Sequence, residues 1–178
     1  MKLTTSVREL FRNRVDLAGQ TVRVSGWIRT IRDQKQFAFI SLNDGTCFNN
    51  LQLVLNREDL SDYDEAVRLG NGAAITACGV VVLTPEARQP FEIIAQNIVV
   101  EGHCPINYPL QPKRHTPEFL RSIAHLRPRT NLLSAVFRVR SVAAFAIHRF
   151  FNQKDFIYVH TPIITGSDAE GAGQMFTV

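Results

Sequence analysis

Between residues 37 and 55, apolar and polar side chains alternate on either side of the turn sequence Asn43-Asp44-Gly45-Thr46. A period of two belongs to a strand with one face in a core. Asn, Asp and Gly supply the backbone conformations that a tight reversal needs. In the first run Ala38, Ile40 and Leu42 share one face, and Phe37, Phe39 and Ser41 share the other. In the second, Leu51, Leu53 and Leu55 oppose Asn50, Gln52 and Val54. A slip of one residue would turn the aliphatic face into water, so few pairings of these two strands are open to the chain.

The two runs, 37–42 and 48–55, are the second and third of five. The first is 22–31, where Val22, Val24 and Ile28 alternate against Arg23, Trp27 and Arg29. The fourth and fifth are 73–83 and 91–100, with a proline-bounded loop at 85–90 between them. A helical piece at 60–69, stopped by Gly70, separates the third strand from the fourth. Five strands with a helix in that place are the order of an OB-fold, a closed Greek-key barrel that often binds oligonucleotides on its strand 2–3 face. An SH3-like barrel and a meander sheet are the competing architectures. If the aliphatic faces line the barrel, Phe39 and Gln52 point outward on neighbouring strands. A ring that stacks on an unpaired base and an amide that reads its edge are one use for such a pair; covering a loop or a domain contact is another. The alternation leaves both open.

The flanking sequence is organised differently. Residues 6–11 read as a short helix with Val7, Leu10 and Phe11 on its buried side, followed by a turn at Ala18-Gly19. Residues 103–117 carry Pro105, Pro109, Pro112 and Pro117 around Lys113-Arg114-His115 and show no hydrophobic period, which predicts a semi-rigid spacer. A short helix is expected at 118–124. From Leu133 onward Val136, Val139, Ala143, Ala146 and Phe150 recur at helical steps, and Asn131 or Ser134 is placed to cap the helix. After Lys154-Asp155 the period falls to two, predicting a strand at 156–160 that Pro162 ends. A loop rich in glycine and acid follows, Gly166-Ser167-Asp168-Ala169-Glu170-Gly171-Ala172-Gly173.

Composition excludes several classes of function. No apolar run reaches the length of a membrane span, and the N-terminus has no apolar signal core. The three cysteines are scattered, so no metal spacing and no disulfide framework is expected, which fits a reducing cytoplasm. No Ser/His/Asp or Cys/His set, P-loop or GxGxxG is present. The net charge of +4 is compatible with a polyanionic partner.

The segment VRVSGWIRTIRDQKQFAFISLNDGTCFNNLQLVL resembles the anticodon-binding barrel of the class IIb aminoacyl-tRNA synthetases, with GWI, an Arg and then F-x-F as its core. The long helix, strand and Pro162 resemble motif 1 of class II synthetases. PEFLRSIAHLRPRTN and TGSDAEGAGQMF are most similar to the asparaginyl members of that group. The resemblance implies a five-stranded OB-fold anticodon-binding domain at 1–102, a hinge at 103–117 and the opening of a class II catalytic domain at 118–178. It implies that Phe39 stacks on the central anticodon base, a uridine, and that Gln52 hydrogen-bonds it. Glu92 would lie near the first anticodon base, and Arg29 and Arg32 on the backbone or base edges. Glu170 would face the α-ammonium of the amino acid, with Ser167, Asp168 and Gly171 in the same mobile loop. Pro162, Val139 and Phe150 would belong to a homodimer interface.

The same resemblance implies a cytoplasmic parent that uses ATP and Mg²⁺ to activate asparagine and esterify it to tRNA(Asn). Motifs 2 and 3, which bind ATP, are not in these 178 residues. The expectation is therefore an N-terminal fragment with no catalytic residue, no metal, no bound cofactor and no adenylate formation of its own. An aspartyl enzyme and a non-catalytic OB-fold RNA-binding module are the two alternatives. Where many members have a glycine in the strand 1–2 turn, this chain has Gln34-Lys35-Gln36.

Overall fold

The alternating runs close on themselves. A computed structural model describes residues 4–164 and Gly166. Strands β1 (Thr21–Asp33), β2 (Phe37–Asn43), β3 (Leu51–Asn56), β4 (Ala74–Leu83) and β5 (Phe91–Gly102) form a closed barrel in the order β1-β2-β3-β5-β4. All neighbours are antiparallel except β3 and β5, which pair in parallel through Leu53 with Ile93 and Val54 with Ile94. Closure depends on the long β1. Its first half pairs with β4 and its second half with β2, and the register shifts between Ile28 and Thr30. Such a bulge bends a strand and sharpens its twist.

The expected inward set is the core. Val22, Val24, Ile28, Ala38, Ile40, Leu42, Leu51, Leu53 and Leu55 are buried, joined by Ile75, Phe91 and Ile93. Helix α1 (Val7–Arg12) is capped by Ser6, whose hydroxyl accepts from the Glu9 N–H, and it buries Val7 and Leu10 against the barrel. Helix α2 (Tyr63–Arg68), between β3 and β4, buries Tyr63 and Ala66 in the same core.

Strand β3 begins at Leu51, later than the expected Phe48. The Asn43 amide explains the delay. It donates to the carbonyls of Cys47 and Asn49 and to Asn50 Oδ1, so residues 47–50 curl around it instead of joining the ladder. In the β1–β2 turn, Lys35 takes the left-handed conformation that glycine ordinarily fills, at φ 71°. Asp33 Oδ1 accepts its N–H at 2.8 Å, and its carbonyl accepts from Arg57 Nε at 2.6 Å.

The same Asp33 oxygen accepts from the Tyr63 hydroxyl at 2.7 Å. Burial, and then this bond, push the phenol up to about 12 from its ordinary 10.0. The Tyr63 bond, and then the Lys35 N–H, hold the Asp33 carboxyl below its usual value. A pKa raised on folding stabilises the folded chain below the unfolded value and is lost as pH rises through the folded one. Stability is therefore expected to fall as pH climbs from 10 through about 12. In Tyr63→Phe that part of the decline should disappear, as read from thermal melts across the interval.

Residues beyond the barrel are held by their own contacts. The Asn71 amide donates to the Leu110 carbonyl at 2.6 Å, and Leu110 is buried. Helix α3 (Pro117–Ser122) is capped by Thr116, starts on a proline, as the first helical turn tolerates, and buries Leu120. A 3-10 turn (Arg127–Arg129) leads into helix α4 (Asn131–Asn152). The residue at the cap of α4 is Thr130, whose hydroxyl accepts from the Leu133 N–H; Asn131 and Ser134 lie inside the helix.

The chain divides into two compact units, Met1–Ser134 and Ala135–Val178. In the second, the strand expected at 156–160 does not form among the described residues, which offer it no partner edge. Phe156 instead donates its N–H to the Phe151 carbonyl, and the Tyr158 ring meets His148 edge-on with centroids 4.7 Å apart. Val139, Phe145 and Phe150 of α4 are 68, 70 and 56% exposed, and Pro162 is exposed too. No helix among the described residues is long and apolar enough to cross a membrane.

Candidate nucleic-acid interface

Register settles which side chains share the outer face of the barrel. Residues directly opposite in an antiparallel pair lie on one side of the sheet. Arg32 is opposite Phe39, and Phe39 is opposite Val54. Thr30 is opposite Ser41, and Ser41 is opposite Gln52. Two rows thus run across β1, β2 and β3, with Phe39 and Gln52 as diagonal neighbours, a relation that spans roughly 7–8 Å between backbones. Glu92 extends the second row onto β5: its carboxylate accepts from Gln52 Nε2 at 2.6 Å.

Phe39 is half-buried: its ring is nearly perpendicular to that of Phe37, with centroids 5.4 Å apart, and the Arg32 guanidinium lies over it, 5.5 Å from its centre. A ring held by such contacts has a fixed plane, which is what stacking on an unpaired base uses. Beside it stand a cation that suits a phosphate or a base edge, and an amide with hydrogen-bonding capacity to spare.

Arg29 is placed elsewhere. It sits in the bulge of β1, between Ile28 and Thr30 and outside the two rows, and its guanidinium donates to the Arg129 carbonyl at 2.6 Å. It lines a cleft of about 800 Å³ reached from the same outer face through Thr30 and Ser41. Lys113, Arg114, His115 and Arg129 line this cleft as well, with no carboxylate among its described lining residues. The Arg129 guanidinium lies over the Trp27 ring at 4.6 Å and donates to the Tyr108 hydroxyl. Trp27 and Arg129 fall in the segments that carry the resemblance, but neither they nor Tyr108 were expected at a site; the outward position of Trp27 in the alternation was the one physical sign.

Four of the five residues expected at an anticodon, Arg32, Phe39, Gln52 and Glu92, therefore lie on one face, while Arg29 lines the neighbouring cleft. Ser167, Asp168, Glu170 and Gly171 lie outside the described residues. No group of His, Cys, Asp and Glu able to hold a metal ion occurs among those described.

Comparison with known proteins bears on both parts of the chain. Residues 22–101 match the family of OB-fold nucleic acid binding domains, and residues 116–178 match the tRNA synthetases class II (D, K and N). The chain is 58% identical over 175 residues to an asparagine–tRNA ligase of Acetivibrio thermocellus, covering 98% of this chain and 38% of that protein. The asparagine–tRNA ligase of Acholeplasma laidlawii is 57% identical over 173 residues, which are 97% of this chain and 37% of the relative. The chain thus spans under two fifths of the length of these relatives. Among solved structures, the asparaginyl-tRNA synthetase of Pyrococcus horikoshii complexed with asparaginyl-adenylate superposes with a TM-score of 0.83, over 97% of this chain and 39% of that one, at 23% identity. An aspartyl-tRNA synthetase of Entamoeba histolytica gives 0.74 at 18% identity, over 90% of this chain and 39% of its own. These two share the fold.

Proposed function

Because the chain belongs to the asparagine–tRNA ligase family, we propose that its barrel binds the anticodon loop of tRNA(Asn) as part of an enzyme that activates asparagine with ATP and Mg²⁺. The observation that carries this is the outer face of β1, β2, β3 and β5, where Arg32, Phe39, Gln52 and Glu92 stand together. Phe39 stacks on the central base and Gln52 reads its edge. Arg32 and the cations of the adjoining cleft, Arg29 among them, neutralise the phosphates on either side.

Residues 1–102 then form the anticodon-binding domain, 103–117 the hinge, and 118–178 the opening of the catalytic domain. In the full-length enzyme the Glu170 carboxylate holds the α-ammonium of asparagine by a charge-assisted hydrogen bond. Ser167, Asp168 and Gly171 close the same loop. Val139, Phe150 and Pro162 pack in a homodimer, a use consistent with their exposure in α4 and after it. The enzyme acts in the cytoplasm.

The test is binding of an RNA stem-loop bearing the asparagine anticodon, against the same stem closed as a blunt duplex. The loop should be preferred at every salt concentration; equal affinity would overturn the proposal. Affinity should fall linearly with log salt. Lys113→Ala and Arg114→Ala should each flatten that slope by about 1 while leaving base preference unchanged.

A further inference from the structure

The bond between Gln52 and Glu92 has a direction. An ionised carboxylate holds acceptors only, so Gln52 must turn its NH₂ toward Glu92 and its carbonyl oxygen away. The backbone fixes the two residues relative to each other, since the next residues along, Leu53 and Ile93, are partners in the β3–β5 ladder. Among the described residues nothing else bonds the Gln52 amide. It therefore offers solvent one acceptor, Oε1, and one remaining N–H.

We propose that Glu92 is a positioning residue, which locks the Gln52 amide so that its oxygen faces the base stacked on Phe39 and selects uracil over cytosine. This rests on the anticodon reading above. Uracil carries a hydrogen on N3, which a carbonyl oxygen accepts; the N3 of cytosine is itself an acceptor and meets that oxygen unfavourably. A freely turning amide serves either base by presenting its oxygen to one or its NH₂ to the other. The carboxylate removes the second choice. It also repels phosphates, so it is a liability for affinity and an asset for discrimination.

The experiment compares two stem-loops that differ only in U or C at the central anticodon position, bound to the 178-residue chain and to its Glu92→Gln variant. The variant keeps the size of the side chain but accepts either amide orientation. The wild type should favour the uridine loop by about tenfold or more, the discrimination expected of one well-placed base contact. In Glu92→Gln the ratio should shrink to about threefold or less, because the cytidine loop gains affinity relative to the uridine loop. An unchanged ratio beside tight wild-type binding overturns this inference alone. So does an equal loss for both loops, or a new preference at a flanking base, because either marks a carboxylate that touches RNA itself. Failure of the wild type to prefer any loop over duplex overturns the anticodon reading as well. A second measurement needs no RNA: in the free chain one side-chain NH₂ proton of Gln52 should resonate downfield and lose that displacement in Glu92→Gln. Identical resonances in the two chains would also count against the lock.

Discussion

Phe39→Ala is expected to weaken binding of the asparagine anticodon loop by about 1–3 kcal/mol, the worth of one stacked base, while leaving the barrel folded. The two halves of this expectation have separate physical causes. The ring lies on the outer face, half-buried against Phe37 and Arg32, and contributes nothing to the aliphatic interior built from Ala38 and Ile40 on either side of it. Its removal leaves no closed cavity, the usual source of large losses when an aromatic is truncated. Stacking is indifferent to base identity because every base has a π-face. The loss should therefore be similar for uridine and cytidine loops, unlike the loss of discrimination expected of Glu92→Gln. Titration of both loops against both variants checks this. Unchanged affinity in Phe39→Ala would remove the ring from the interface and with it the main support for the anticodon reading.

The alternation of Ala38, Ile40 and Leu42 against Phe39 was enough to place a ring on the outside of a barrel, because a buried face and a period of two leave a strand one orientation. It was also enough to put Phe39 and Gln52 on one face of paired strands. It did not reveal the acceptor waiting for the Gln52 amide. Glu92 is forty residues further on, and only the parallel β3–β5 pairing, which no local pattern encodes, brings the two together. Arg29 shows the opposite limit. The alternation of β1 does not show that a bulge after Ile28 inserts one residue, nor that the Arg29 guanidinium donates to the Arg129 carbonyl. Bulges are fixed by how a barrel must bend, which depends on all five strands at once. The strand expected at 156–160 failed for a related reason: a period of two states a preference for a sheet edge, and none of the described residues supplies one.

Gly79→Ala should be the most damaging small substitution in the barrel, costing about 3 kcal/mol or more of stability. Gly79 lies on β4 at the register shift against β5. A Cβ there would stand 2.2 Å from the Ile94 carbonyl oxygen and 2.7 Å from Ile93 Cγ2. A flexible side chain turns aside from such a clash, but a ladder carbonyl does not without parting the strands. The obstruction is thus paid in β4–β5 hydrogen bonds, and β5 is the strand that carries Glu92. Gly102→Ala is the control: it lies on the same ladder, opposite Ala74, with open space where its Cβ would go. It should melt within a few degrees of the parent, whereas Gly79→Ala should lose more than about 10 °C, as followed by circular dichroism. Because the strain parts β5 from its neighbour, RNA discrimination should fail in Gly79→Ala at temperatures where Phe39 still stacks. A Gly79→Ala chain as stable as the Gly102→Ala chain would mean that the two strands do not approach as closely as this barrel requires.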